Sequence, residues 1–243
     1  DDGKLQCRGT ELRLDRFISQ AAGLSRSQAR TLIRRGRVTV AGQSVRDAGF
    51  TLADGQAVEL EGRAMVLPQS LYLMMHKPVG LLSATRDDQQ ATVLSLLPSP
   101  LAGRVHLVGR LDKDTSGLLL LTDDGAWSHR ISSPRHHCAK TYVAELAEPL
   151  SSYAEESLVR GVQLRGEASP TRPAVVQRLG QRRVRVKITE GRYHQVRRMF
   201  AALGNRVTHL HRERVGGLEL DAALAPGQWR ALTEDEVKAV IGD

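Results

Sequence analysis

Cysteine is almost missing from this chain: Cys7 and Cys138 are the two in 243 residues. They stand far apart, so no disulfide scaffold is expected, and a reducing cytoplasm is the expected compartment. Aromatic residues make up 4%. No apolar run approaches the ~18 residues of a membrane span, and the longest, residues 117–122, suits a core strand. The N-terminus, Asp1-Asp2-Gly3-Lys4, lacks Met and any signal-peptide pattern. Residues 1–10 are expected to be disordered or vector-derived. Whole chemistries are missing as well. There is no phosphate-cradling P-loop and no dinucleotide fingerprint. His136, His137 and Cys138 are adjacent but have no distant ligand group to match them, which argues against a zinc site. No Ser or Cys stands in an activating context. The expectation is a reaction that uses neither metal nor cofactor.

What is present is positive charge. The net charge is +8, and charge of this sign commonly reports an anionic partner, most often nucleic acid. Six of the 35 basic residues are Lys, so 29 are Arg. A compositional bias explains that preference, but not where the charge sits. Residues 178–198 hold eight basic side chains and one acid, Glu190. Residues 26–37 hold five basic side chains and no acid.

The chain divides near residues 61–69, a short mixed stretch containing Gly62 and Pro68. Before it, Leu12, Leu14, Phe17, Ile18 and Ala21 recur at helical spacing, and Gly23 ends that helix. Ser25 is the expected N-cap of a second helix that Gly36 closes. Its Ala29, Leu32 and Ile33 point inward, and Arg26, Arg30 and Arg34, four apart, form one exposed stripe. Short strands follow at 38–40 and 57–60. Such a module suits phosphate binding, although a solvated helix face shows the same pattern. The stretch LRLDRFISQAAGLSRSQARTLIRRGRVTVAGQSV resembles an S4 domain, a small RNA-binding module. The resemblance implies that Arg26, Arg30, Arg34 and Arg37 contact RNA backbone.

The larger region mixes strands and helices. Strands are expected at 71–75, 118–122, 140–146, 173–178, 183–188 and 207–215, and helices at 126–131, 151–160 and 193–203. Thr233 and Glu236 make a capping box for a last helix. Many strands with few interposed helices predict an α+β fold with a mostly antiparallel mixed sheet, not a doubly wound one. The domains expected are 1–60, a linker at 61–70, and 71–243.

Three elements carry the chemistry: the loop GRLDKDTSG, residues 109–117, with Arg110 and Asp112; Tyr142 in AKTYVAEL; and EGRYHQVRRM, residues 190–199. A glycine-bounded polar loop opening into a buried strand can hold a carboxylate rigidly at the edge of a core. In this order, behind an S4-like module, these elements resemble the RNA pseudouridine synthases, and most narrowly the RsuA family, which modifies small-subunit ribosomal RNA. The resemblance covers nearly the whole chain. It implies the pseudouridine synthase fold and a cofactor-free isomerisation of uridine in 16S rRNA. Asp112 is then the catalytic carboxylate. Burial disfavours a charged carboxylate and a neighbouring guanidinium favours it, so Arg197 is expected as its ion-pair partner. Tyr142 stacks on the target base. Arg110 fills the space the flipped base leaves, and Val196 with Leu111 forms an apolar floor. Arg192, Arg198, Arg212 and Arg214 contact phosphate. Asp114, Asp123 and Asp124 are expected as turn residues, and His194 as structural or RNA-facing. The expected partner is 16S rRNA, within an assembling small-subunit particle, and the expected state is a cytoplasmic monomer. A 23S rRNA substrate, or a non-catalytic S4-bearing assembly factor, is the alternative.

Overall fold

A computed structural model describes residues 12–53 and 55–242, so the expectations for residues 1–10 and Cys7 lie outside it. The chain forms two units that divide between Gln69 and Ser70. The first begins with β1 (Leu12–Arg13), α1 (Leu14–Ala22) and α2 (Arg26–Arg34). Leu14 and Ile18 lie one turn apart, as do Ala29 and Ile33, and all four are fully buried against Val38, Val40 and Val58. Gly23 closes α1 in the left-handed conformation, and Ser25 with Gln28 forms a capping box that starts α2. The strands are β2 (Val38–Val40), β3 (Gln43–Ser44), β4 (Thr51–Leu52), β5 (Val58–Leu60) and β6 (Arg63–Met65). They order as β3-β2-β5-β6, while β4 pairs with β1. Residues 63–65, expected as linker, are therefore a strand. Met65 returns opposite Val58 and packs on the same core. A three-residue strand with one inward apolar side chain leaves too short an alternation to read.

The arginines of the stripe are exposed, and two of them also pair inward. Asp15, in the first turn of α1, has a fully buried side chain that receives Arg30 Nε at 2.9 Å, Arg26 at 3.2 Å and Arg13 at 3.3 Å. Burial pushes its carboxyl up, but the hydrogen bonds from Arg30, Arg13 and Arg26 win and hold its pKa at about 2. Arg26 and Arg30 thus tie α2 to α1 as well as facing water. Arg34 is exposed, and Arg37 stands 3.9 Å from Glu61 with both side chains mostly exposed.

The second unit runs β7 (Tyr72–Lys77), α3 (Ser99–Ala102), β8 (His106–Val108), β9 (Thr115–Thr122), α4 (Gly125–Ser132), β10 (Lys140–Leu146), α5 (Ser152–Arg160), β11 (Val175–Arg178) and β12 (Arg183–Ile188). It continues through α6 (Gln195–Ala202), β13 (Val207–Val215), β14 (Leu218–Glu219), β15 (Trp229–Ala231) and α7 (Glu234–Ile241). Nine strands form one sheet in the order β11-β12-β10-β13-β9-β7-β15, with β14 on β13 and β8 on β9. Only the β9–β13 pairing is parallel, so the sheet is mostly antiparallel in an α+β fold, as predicted. Among the described residues no helix is long and apolar enough to cross a membrane.

β9 explains the apolar run. Its Leu118 and Leu120 pack with Met74 and Trp127 on one face, and Leu119 and Leu121 with Leu73 and Met75 on the other. A strand covered on both faces reads as continuously hydrophobic, and burying each leucine contributes roughly 1.5–3 kcal/mol. β9 begins at Thr115, three residues before the expected start. Thr115, Ser116 and Gly117 pair in parallel with Leu210, His211 and Arg212. The approach at Gly117 is close: its φ is +117, and a Cβ there would stand 2.1 Å from the Arg212 carbonyl oxygen. α6 starts two residues later than expected, because His194 takes a left-handed φ of 47 and ψ of 37 at its N-cap.

Candidate active site

The loop between β8 and β9, residues 109–114, is anchored at several points. Leu111 N–H donates to Ser83 Oγ at 3.1 Å. The Lys113 carbonyl accepts from Gly80 N–H at 2.7 Å. The Asp114 carbonyl accepts from Arg197 at 3.1 Å. Asp112 itself closes a turn, its carbonyl accepting from Thr115 N–H at 3.0 Å.

The fourth anchor is Lys77, which composition and spacing had not singled out. It is fully buried. Its Nζ donates to the carbonyls of Thr115 (2.8 Å), Pro78 (2.9 Å) and Lys113 (3.3 Å). Burial pulls its pKa down to about 8, and the carboxylates of Asp114 and Asp112 resist that fall. One sequence signal existed. Leu73, Met75 and Lys77 alternate along one strand, so the last of them shares an inward face with two core residues.

With the loop held, Asp112 faces a cleft of about 160 Å3. Its side chain is 34% exposed. Apolar lining comes from Leu111, Val196, Ile188 and Leu210, all buried. Tyr142, half-buried on β10, lies among them, opposite Val186 on β12 and Arg212 on β13. Cationic lining comes from Arg110, Lys140, Arg192, Arg197 and Arg212, against the acids Asp112 and Glu190. Burial holds the Lys140 ammonium below the usual lysine range. The fold thus brings together Arg110, Leu111, Asp112, Tyr142, Val196 and Arg197 from three separate stretches of chain.

Several expected roles do not fit this geometry. Arg197 does not pair with Asp112. It pairs with the Asp114 carboxylate at 3.3 Å and also donates to the Val207 carbonyl, while its buried Nε has no partner. It reaches the loop two residues past the expected carboxylate, at Asp114. The partner of Asp112 is His194, with Nε2 3.3 Å from Oδ1. Arg212 is not a surface phosphate contact. It is 4% exposed, and its Nε donates to the Leu118 carbonyl at 2.9 Å. Arg192 is committed to Glu190 and to the carbonyls of Ser169 and Pro170. Arg198 is committed to Glu167 and to the carbonyls of Tyr193 and Arg165. Arg214 pairs with Glu219 and does not line the cleft. The basic run 178–198 is therefore mixed: Arg192, Arg197 and Arg198 are clamps, while Arg178, Arg182, Arg183 and Lys187 are exposed, a division that charge counting does not show. Asp124 caps α4 and accepts from the Tyr72 hydroxyl at 2.7 Å, and Asp123 accepts from Leu71 N–H and pairs with Arg104.

Known proteins share this architecture. Residues 71–202 match the RNA pseudouridylate synthase family, and residues 12–58 match the S4 domain. The chain is 50% identical over 231 residues to the ribosomal small subunit pseudouridine synthase A of Escherichia coli (strain K12), covering 95% of this chain and 100% of that protein. It is 46% identical over 229 residues to the protein of the same name from Vibrio cholerae serotype O1, covering 94% and 99%. A crystal structure of a pseudouridylate synthase, 43% identical, superposes with a TM-score of 0.70 over 94% of this chain and 99% of that one. Likeness of this depth, spanning both units and most of the cleft, means that the chain belongs to the RNA pseudouridylate synthase family, enzymes that turn uridine in RNA into pseudouridine, in the form that carries an S4 domain.

Proposed function

We propose that this protein isomerises a uridine of 16S ribosomal RNA, with Asp112 as the catalytic carboxylate acting on a base that has left the stack. The observation that carries this reading is the setting of Asp112. It projects from a loop pinned by Lys77, Gly80, Ser83 and Arg197 into a small cleft with an apolar floor and a cationic rim. The cleft lies well below the roughly 300–1,000 Å3 of pockets that take drug-sized ligands, a size that favours a single base. The names of the relatives, small-subunit synthases, support 16S rRNA as the substrate.

The reaction breaks the N1–C1′ bond, turns the uracil and rejoins it through C5. C5 gives up a proton and N1 gains one, so no oxidant or reductant is consumed. Lifting a uridine from a helix costs a few kcal/mol. Arg110, exposed beside Asp112, is a planar cation suited to fill the vacated space. Tyr142 stacks on the extruded base above Leu111 and Val196. Arg197 acts on the loop through Asp114, holding the carboxylate of Asp112 over the base. In the S4 unit, Arg34, Arg37 and the open edges of Arg26 and Arg30 take RNA phosphates.

Release of tritium from 16S rRNA carrying 5-tritiated uridine tests the reading. Asp112→Asn abolishes release while RNA affinity changes little; a variant retaining a tenth of the activity contradicts the role of Asp112. Pseudouridine mapping in both rRNAs of a deletion strain tests the substrate. A uridine left unmodified in 23S instead of 16S rRNA moves the assignment, and RNA binding by wild-type protein without tritium release makes it a non-catalytic assembly factor.

A further inference from the structure

Tyr193 is 76% exposed. Its ring is stacked on that of His194, with centroids 3.8 Å apart and planes 18° from parallel. His194 in turn lines the cleft and approaches Asp112 Oδ1 through Nε2 at 3.3 Å. One face of this two-ring stack therefore meets water and its other end meets the carboxylate. Tyr193 itself is outside the cleft lining and meets the cleft through His194, whereas Tyr153, equally exposed on α5, stacks on no ring among the described residues. In a chain with 9 Phe, Trp and Tyr residues in total, an aromatic left open at the edge of the cleft calls for a partner.

The pair is not loose chain. The Tyr193 carbonyl accepts from Arg198 at 2.9 Å, the His194 carbonyl accepts from Arg198 N–H at 2.9 Å, and the Gln195 side chain holds Arg192 N–H at 2.9 Å. His194 also occupies the left-handed region at the N-cap of α6, where side chains other than Gly are uncommon, although His tolerates it better than most. Non-glycine residues in that region cluster at functional sites, where the surroundings over-determine them.

We infer that the Tyr193–His194 stack receives a nucleobase of the substrate RNA flanking the target uridine. Tyr193 is the platform, and His194 is a positioning residue that orients Asp112. The inference rests on the reading of Asp112 as the catalytic carboxylate. An aromatic face accepts any base without hydrogen-bond readout, at about 1–3 kcal/mol per stacked base.

Tritium-release kinetics on a 16S rRNA transcript, with filter binding of the same transcript, test this. Tyr193→Ala raises KM and weakens binding about tenfold, the equivalent of ~1.4 kcal/mol, while kcat stays within twofold. Tyr193→Phe keeps the ring and behaves like wild type. His194→Ala lowers kcat at least tenfold with KM nearly unchanged, and His194→Gln, whose amide nitrogen takes the place of Nε2, recovers part of it. His194→Gly, which suits the left-handed backbone, keeps the melting temperature and loses kcat in the same way, separating function from folding. Tyr193→Ala with wild-type KM and binding overturns the platform. His194→Ala with wild-type kcat, or a glutamine variant no better than alanine, overturns the positioning role. If wild-type protein releases no tritium but Tyr193→Ala still binds tenfold more weakly, the platform stands and the catalytic reading of Asp112 falls.

Discussion

Lys77 gives the most exposed test of how this site is built. Replacing it with Met keeps the length of the side chain and removes the charge and the three donors to Thr115, Pro78 and Lys113. In the folded chain its pKa is about 8 against the ordinary 10.5, chiefly because it is buried. A shift of that size, at 1.36 kcal/mol per unit, corresponds to about 3 kcal/mol of penalty on the charged form. Below pH 8 both folded and unfolded chains hold the proton, and the penalty is fully felt. Between pH 8 and 10.5 the unfolded chain still holds the proton while the folded chain releases it, so wild-type stability rises with pH across that window. Lys77→Met has no such group. The stability of wild type relative to Lys77→Met should therefore grow by about 3 kcal/mol from pH 7.5 to 10.5. Both tryptophans, Trp127 and Trp229, lie in the second unit, so urea unfolding followed by tryptophan fluorescence on the full chain reads the unit concerned. Activity moves independently. Freed of its clamp, the loop carrying Asp112 shifts, and a displacement of about 1 Å can cost on the order of a hundredfold in rate. We expect kcat to fall at least tenfold at pH 7.5 even where the variant remains folded. A stability difference that is flat with pH refutes the buried-ammonium account. Unchanged kcat refutes the view that Lys77 sets the position of the carboxylate.

Two further predictions concern the S4 unit. Asp15→Asn removes the charge that three guanidiniums close upon. Its pKa is held low, so its contribution is present above about pH 4 and lost as pH falls toward 2. The variant should lose about 1–2 kcal/mol at pH 7, solvent screening of the half-exposed arginines being allowed for, and nothing near pH 2. Hydrogen exchange of the α1 and α2 amides on the full chain, corrected for intrinsic rates, measures this, and a loss equally large at pH 2 would point to packing instead. Arg34→Glu with Arg37→Glu should weaken rRNA binding and flatten its dependence on log salt by about one per lost phosphate contact; an unchanged slope would mean that these side chains are only solvated.

Periodicity and capping carried much of the architecture. The α1 and α2 spacing, the Ser25 N-cap, the Thr233 capping box, and the strands at 140–146, 183–188 and 207–215 depend on neighbours within a few residues, and they stand where they were expected. What local pattern missed lay at contacts between distant segments. β6 forms because β5 offers it an edge, and β9 extends back to Thr115 because β13 comes alongside in parallel. The order of the GRLD loop, Tyr142 and the basic helix was enough to bring the candidate site residues to one list, and the cleft collects the central ones. Their pairings were not legible. Arg197 is eighty-odd positions from the loop, and which of two carboxylates it meets is a contact between distant segments that no local pattern encodes.

The sequence by itself determined the class of protein: the positive charge, the helix faces, the buried strand and the ordered motifs are properties of composition and of near neighbours. Only the tertiary structure decided the use of each charge. It turned Arg212, Arg192 and Arg198 inward as clamps, closed Arg26 and Arg30 on Asp15, set Lys77 against the loop that carries Asp112 and gave Asp112 to His194. The reason is physical. A guanidinium in solution and a guanidinium in an ion pair are the same letter, and what separates them is burial and the partner that burial demands.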